Sequence, residues 1–506
     1  MRRRLALTFL FLLIPAFAFT QDLASFEKRV SVHKLKNGLT VLLLRRAEAP
    51  VFSFELFVDA GSAQDPKGLS GLAHMFEHMA FKGTPSIGIK SPALFPQEKT
   101  ALAALEEAYR TYDIEKRKIV GQDPKKVAKL EADWRKLADE ATEKYVDPNA
   151  FGRLVETHGG AGLNASTASD ETTYYYSLPA NQFEFWAYLE SERLVHPVFR
   201  EFYKERDVVL EERRMRVDSQ PVGRLVEQWD ATAFVAHPYQ VSGVGWASEI
   251  SSVTASEAAD FYKTYYTPAN MTLSVVGDIE PATVLPIIEK YFGRIPAGPK
   301  PPELRTIEPP QGSERKVTLL EPGGQAWYLE GYHRPGYNDK DDVIYDVISD
   351  LLTSGRVSRL YRALVRDKKV ALFAGGESGF PGVKYPHLFY FCAVPNQGKT
   401  TDDLASAFHE EIDKLKTTDV TDDELKMVKT RIKADLLRGL ADNQGLASSL
   451  ATFQTRFGDW RELFRQVERV EAVTKADIRR VANATFQPTN RTVALIDTTA
   501  AKKEAK

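Results

Sequence analysis

The chain has 506 residues, length for roughly two to four domains. Its 43% hydrophobic and 27% charged residues and net charge of −2 exclude a disordered, collagen-like or multi-span membrane chain and the strongly basic balance of a nucleic-acid binder. A single cysteine, Cys392, excludes an intramolecular disulfide framework and a thiolate zinc ribbon, so any metal site must be built from Asp, Glu and the nine histidines.

The N-terminus reads as an export signal. Arg2, Arg3 and Arg4 precede an apolar run from Leu5 to Ile14, and Ala16-Phe17-Ala18 has the small-x-small form of a cleavage site. The alternative is an uncleaved anchor, but the run falls short of the about 20 residues a spanning helix needs. No cysteine follows it, which excludes a lipoprotein anchor. The expectation for residues 1–18 is therefore a signal peptide, and for the mature protein a periplasmic or extracellular location without a stable membrane anchor.

Val30 to Leu44 reads as strand, Asn37-Gly38 turn, strand. Val51 to Val58 is a third strand, and a helix is predicted near Leu69 to Phe81. This helix carries His74-Met-Phe-Glu77-His78. Histidines four apart share a helix face and can grip one metal ion, and Glu77 leans toward that face. The order H-x-x-E-H is an inverted zincin pattern. A catalytic zinc takes three protein ligands and leaves a position for water, which a neighbouring carboxylate can deprotonate. Two helix-surface histidines are the plainer reading. Against it, Leu72, Ala73, Met75, Phe76, Met79 and Phe81 predict a buried helix, where two imidazoles and a carboxylate are costly without a partner.

Residues 90–147 are rich in Ala, Glu, Lys and Leu. Val127, Leu130, Trp134, Leu137 and Ala141 recur at spacings of three and four, and Gly121 to Pro124 breaks the pattern, which predicts a two-helix hairpin with a solvated outer face. Leu163 to Ser169 and Thr172 to Ser177 read as two strands joined by a polar turn; Tyr174 to Tyr176 is read as strand packing. Gln182–Val198 and Phe202–Val217 read as helices. In the latter, Glu205 and Glu212 lie seven apart on one side and either could reach the histidines, while Glu211 points elsewhere. A charged surface helix with Glu–Arg pairs is the plainer alternative. Met271 to Asp278 is a buried-type strand, followed by a helix through Phe292. Prolines 296, 299, 301, 302, 309 and 310 mark a linker over 296–315.

A second run of strands and helices follows. Pro268, Asn270 and Thr272 match Pro488, Asn490 and Thr492, each 220 residues on. This spacing is too long for a solenoid unit and fits two copies of one domain. The division is a domain over 28–295 holding the metal motif and the hairpin, and a homologous domain over 316–498 without it. The predicted fold is α/β (α+β), each domain an antiparallel sheet flanked by helices. Asn164, Asn270, Asn483 and Asn490 begin glycosylation sequons but lie in or beside predicted strands, and His158 and His387 are isolated.

The ordered set His74-x-x-Glu77-His78, Asn164-Ala-Ser-Thr167 and Glu205-x6-Glu212 resembles the pitrilysin/insulinase family of zinc peptidases, which includes mitochondrial processing peptidase. The resemblance runs from about Val30 to Asp497. It implies one Zn²⁺ per chain on His74, His78 and Glu212. It makes Glu77 the general base and Glu205 the carboxylate that orients a ligand histidine. It makes Asn164, Ala165, Ser166 and Thr167 an edge strand that pairs with a peptide backbone. The two domains would form half of a clam-shell chamber. Gly355 to Tyr361 resembles a helix start of the family's second domain. Active members carry an Arg and, seven residues later, a Tyr that contact substrate; Arg366 matches the Arg, but position 373 is Phe. Three readings of Phe373 stay open: a sister subunit of a homo- or heterodimer supplies the Arg/Tyr side, Tyr361 or another residue substitutes, or turnover is slower. The hairpin lengthens the gap between His78 and Glu212 to 134 residues, beyond the family's usual spacing, and its role is likewise open.

Overall fold

A computed structural model describes residues 26–498; the predicted signal segment lies outside the described residues. Strand β1 (Val30–Lys34) and β2 (Thr40–Arg45) form an antiparallel hairpin. Its turn needs Gly38, whose φ of 102° lies in the left-handed region. The Asn37 side chain donates to the Phe292 and Ile295 carbonyls and fixes the turn to the end of a later helix. Strand β3 (Val51–Val58) leads to helix α1 (Leu72–Met79), then the hairpin helices α2 (Phe95–Lys116) and α3 (Pro124–Tyr145), and α4 (Ala150–Thr157). Strands β4 (Ala161–Thr167) and β5 (Thr172–Pro179) precede helices α5 (Phe183–Val195), α6 (Phe202–Arg213), α7 (Pro221–Ala233) and α8 (Ala255–Tyr265). Strand β6 (Met271–Gly277) and helix α9 (Pro281–Phe292) complete the first half.

The second half repeats this plan with β7 (Arg315–Leu320), β8 (Trp327–Arg334), α10 (Asp342–Thr353), β9 (Ala371–Phe380) and β10 (His387–Pro395). Helices α11 (Thr401–Thr417), α12 (Asp422–Gly439), α13 (Asn443–Phe457), α14 (Glu462–Ala472) and α15 (Lys475–Thr485) precede β11 (Arg491–Asp497).

The sheet orders are β1-β2-β6-β3-β5-β4 and β7-β11-β8-β10-β9. The sequence reading expects antiparallel sheets, and the structure corrects it in one respect. Each sheet holds one parallel pair, β2 with β6 and β7 with β11. The reason is geometric. β2 and β3 run in opposite directions, as do β7 and β8, so a strand slotted between such a pair must be parallel to one of them. The central strand β6 is buried on both faces along its whole length, Thr272 and Ser274 included.

The 220-residue repeat extends to caps and turns. Thr254 and Glu257 form a capping box at the start of α8, and Thr474 and Asp477 do the same for α15. The Asn270 amide donates to the Tyr265 and Asp59 carbonyls; the Asn490 amide donates to those of Thr485 and His333. Asp59 and His333 are 274 apart, whereas Asn270 and Asn490 are 220 apart. The first half therefore carries 54 extra residues between these points, close to the span of α2 and α3.

Each half also lends a helix to the other. Helix α7 packs on β7 and β11, where Leu225 and Trp229 meet Leu329, Leu388 and Ile496, and the Trp229 indole donates to the Thr492 carbonyl at 3.0 Å. Helix α13 packs on β3 and β6, where Leu446, Ala447 and Leu450 meet Leu42, Leu44 and Val276. Neither sheet can bury both faces without the opposite half, so the two cores are interdependent.

Candidate metal centre

Helix α1 begins at Gly71, whose φ of 87° and close approach to the Val244 carbonyl leave no room for a side chain. Gly71 offers no capping oxygen. Asp65 serves instead, accepting from the backbone N–H of Gly71 at 2.7 Å and Ala73 at 2.8 Å. Burial holds the Asp65 carboxyl up to about 7. Leu72, Ala73, Met75, Phe76 and Met79 enter the core, with Phe76 stacked on Tyr262. The remaining face presents His74, Glu77 and His78 to α6 and β4.

There the imidazoles meet Glu212. His74 Nε2 and His78 Nε2 each lie 3.6 Å from Glu212 Oε2, and the three ligand atoms all lie within 4.8 Å of one another. The separation of 3.6 Å is too long for a hydrogen bond. It is close to the about 3.4 Å that separates two ligand atoms placed tetrahedrally at zinc bond lengths. Two imidazoles and a carboxylate therefore fit one zinc ion. Burial, aided by the neighbouring His78, pushes His74 down to about 4, so it is neutral and its Nε2 lone pair can bind a metal. Burial also pulls His78 down, but the Glu205 hydrogen bond and the surrounding carboxylates outweigh it and leave His78 above its ordinary value.

Glu205 lies two turns before Glu212 on α6. Its Oε2 is 3.3 Å from His78 Nδ1, and its Oε1 pairs with Lys82 Nζ at 2.5 Å. His74 Nδ1 is buried without a hydrogen-bond partner among the described residues, so support of the two rings is one-sided. Glu77 Oε2 accepts from the Thr167 hydroxyl at 2.6 Å. Burial raises the Glu77 carboxyl, and the Thr167 bond opposes that rise. Glu212 keeps its second oxygen on Arg216 at 2.5 Å.

Thr167 ends β4, which among the described residues is an edge strand bonded only to β5. Asn164 and Ser166 are exposed and Ala165 is half-buried; the Asn164 amide donates to the Tyr175 hydroxyl at 3.2 Å. The structure does not join Arg366 to this cluster. Its guanidinium is exposed and paired with the adjacent Asp367. Phe373 is half-exposed on β9, the edge strand of the second sheet, with its ring near Trp327. Sequence reasoning missed Lys82, Arg216 and Asp65, and the link from Thr167 to Glu77. Arg216 stands four residues after Glu212, so helical spacing could have found it, whereas Lys82 lies past the end of α1 and reaches Glu205 on another helix. Nothing local signals the Thr167–Glu77 contact, which spans 90 residues.

Comparison with known proteins follows the same outline. Residues 40–88 and 133–243 match the family model described as insulinase (peptidase family M16), and residues 252–432 match that of the peptidase M16 inactive domain. Residues 89–132, within the hairpin region, are left out. The chain is 26% identical over 471 residues to the zinc protease PqqE of Helicobacter pylori, covering 91% of each chain. It is 24% identical over 470 residues to the probable mitochondrial-processing peptidase subunit beta of Arabidopsis thaliana, covering 90% of this chain and 76% of that one. A crystal structure of a protease from Helicobacter pylori superposes with a TM-score of 0.77 at 26% identity, over 93% of this chain and 99% of that one. The periplasmic protease PqqL from Escherichia coli superposes with a TM-score of 0.68 at 18% identity, over 94% of this chain but 48% of that one.

Proposed function

The chain belongs to the insulinase family, peptidase family M16, and on that premise we propose that it is an exported zinc endopeptidase that hydrolyses peptides and unfolded polypeptides. The observation that carries this reading is the convergence of His74 Nε2, His78 Nε2 and Glu212 Oε2, with Glu77 on the same helix face.

His74, His78 and Glu212 would hold one zinc ion, which when bound supplies Lewis acidity toward a water and a peptide carbonyl. Glu77 accepts the proton of the attacking water at a carboxylate oxygen and returns it to the leaving amine. Thr167 holds that carboxylate in place and favours its ionised form. Glu205 fixes the His78 ring through Nδ1, which turns Nε2 toward Glu212 where it would hold the metal, and Lys82 balances the charge of Glu205. Strand β4 offers a free edge beside the site, and a peptide added there is gripped by its backbone. Such binding tolerates many sequences, which suits unfolded substrates.

The charged and apolar pattern of residues 1–18 and the periplasmic relative PqqL support export. A second reading is favoured by Arg366 and Phe373. With the arginine tied to Asp367 and no tyrosine at 373, the chain would act as one subunit of a homo- or heterodimer whose sister supplies the Arg/Tyr side. The mitochondrial-processing relative is named as a subunit, and the chain spans about half of PqqL, which supports this reading.

The test is hydrolysis of a fluorogenic peptide library with and without chelator, beside metal analysis. Glu77→Gln should lower turnover by about 10³-fold while one zinc is retained. Unchanged turnover would sink the mechanism. A zinc-loaded wild-type chain without activity would favour the subunit reading, and co-purification from the source cells would then reveal the sister chain.

A further inference from the structure

The hairpin of α2 and α3 ends in a turn that presents apolar side chains to solvent. Ile119 is 99% exposed and Val120 87%, and Ile114 follows one turn back at 67%. Single exposed aliphatics are ordinary, but three within seven residues at the end of a hairpin are not. The turn is firmly built. Gly121 takes a φ of 73°, the Gln122 amide donates to the Lys116 carbonyl at 2.6 Å, and the Asp123 carboxylate caps the first N–H groups of α3. The aliphatics are thus held outward by structure.

Around them lie Lys116, Arg117, Lys118, Lys125, Lys126 and Lys129, all exposed, against Asp113, Glu115 and Asp123. Arg117 pairs with Asp113, and Lys118 and Lys126 share Glu115. Among the described residues Lys125 and Lys129 form no ion pair, and the segment keeps an excess of three positive charges in a chain of net charge −2. The match to the family's peptidase model stops at residue 88 and resumes at 133, so this apex lies outside the shared catalytic body.

We propose that the hairpin tip docks the protein on an anionic lipid bilayer, with Ile119 and Val120 entering the interface and the lysines meeting the headgroups. An apex two helices wide, about 10 Å by 20 Å, offers far less than the roughly 500 Å² per partner that a small stable protein interface buries. A bilayer needs only a shallow apolar insertion supported by basic residues. The contact is peripheral and agrees with the lack of any described helix long and apolar enough to cross a membrane.

The test uses the full chain carrying Cys392→Ser and an environment-sensitive dye on Val120→Cys, with the same dye on Ser313→Cys as a remote control. Phosphatidylcholine vesicles are compared with vesicles of phosphatidylcholine and phosphatidylglycerol in equal parts. The dye at 120 should shift to the blue on the anionic vesicles alone, and the shift should vanish at high salt, while the dye at 313 stays unchanged. Lys125→Gln with Lys129→Gln should weaken the vesicle affinity by about thirtyfold. The proposal is overturned by an equal response at 120 and 313, by an equal response on neutral vesicles, or by insensitivity to the lysine changes. A blue shift that rises with protein concentration without lipid would also overturn it, because a second copy would then cover the tip.

Discussion

The two halves of the molecule place a helix pair at the same point of one plan and fill it with different chemistry. In the first half α1 and α6 are joined by the His78–Glu205 hydrogen bond and by His74, His78 and Glu212, whose facing atoms at 3.6 Å stand too far apart to bond one another. In the second half α10 and α12 are joined by Arg431, whose Nε donates to Asp350 at 2.8 Å and whose Nη1 donates to the Ser354 carbonyl at 3.1 Å. Around that pair α10 buries Ile344, Ile348, Leu351 and Leu352, and it carries no histidine. The matching helix of the second half packs with apolar residues and an Arg–Asp pair in place of the donors, so on the proposed reading the donor set of the first half serves chemistry and is dispensable to the fold.

This contrast can be tested by substitution, beginning with the largest expected effect. His74→Leu with His78→Leu makes α1 resemble α10. Bound zinc should fall from one per chain to none and hydrolysis to background, while the variant still unfolds cooperatively, with a thermal midpoint below that of the zinc-loaded wild type because the metal is lost and Glu205 loses its histidine. Mass spectrometry for metal and calorimetry read both; unfolding of the variant would refute the claim that the donors are dispensable to the fold. Asp350→Ala should do the reverse. It leaves Arg431 partly buried without its carboxylate and should cost about 3 kcal/mol in denaturant unfolding, with zinc content unchanged.

The contacts across the halves differ too. Where α13 covers the first sheet, Glu55 is buried and accepts from Gln444 and Ser448; where α7 covers the second, the lining is Leu329, Trp229 and Leu225. Burial outweighs those hydrogen bonds and pushes the Glu55 carboxyl up to about 7. The folded state therefore binds this proton more tightly than the unfolded chain, whose carboxyl keeps its ordinary value near 4.5. The contribution to stability is whole below the unfolded value and is lost as pH rises toward 7. Glu55→Gln should remove the slope and stabilise the protein above neutrality by about 2 kcal/mol. A pH series of thermal unfolding decides this, and an unaltered slope would rule it out.

The smallest effect falls on Glu77, the proposed base. Thr167→Val removes the hydrogen bond that favours ionised Glu77, so turnover should drop about tenfold and the acid limb of the pH–rate profile should move to higher pH. A tenfold loss with an unmoved limb would assign Thr167 to substrate pairing alone.

Much of this was legible in the sequence. The helical spacing of His74, Glu77 and His78 puts three functional groups on one face, and the seven-residue spacing of Glu205 and Glu212 does the same on a second helix. Alternating and continuous apolar runs mark the strands, and the matches of Pro268, Asn270 and Thr272 to Pro488, Asn490 and Thr492 reveal the duplication. These signals survive because periodicity is a property of neighbouring residues. The parallel strand in each sheet, the exchange of α7 and α13 between halves, the hold of Thr167 on Glu77 and the pairing of Arg366 with Asp367 were decided by the tertiary structure. The first three join residues far apart in the chain, and the last is a choice of rotamer. Local spacing determines which face a side chain takes, whereas its partner across that face depends on how the whole chain packs.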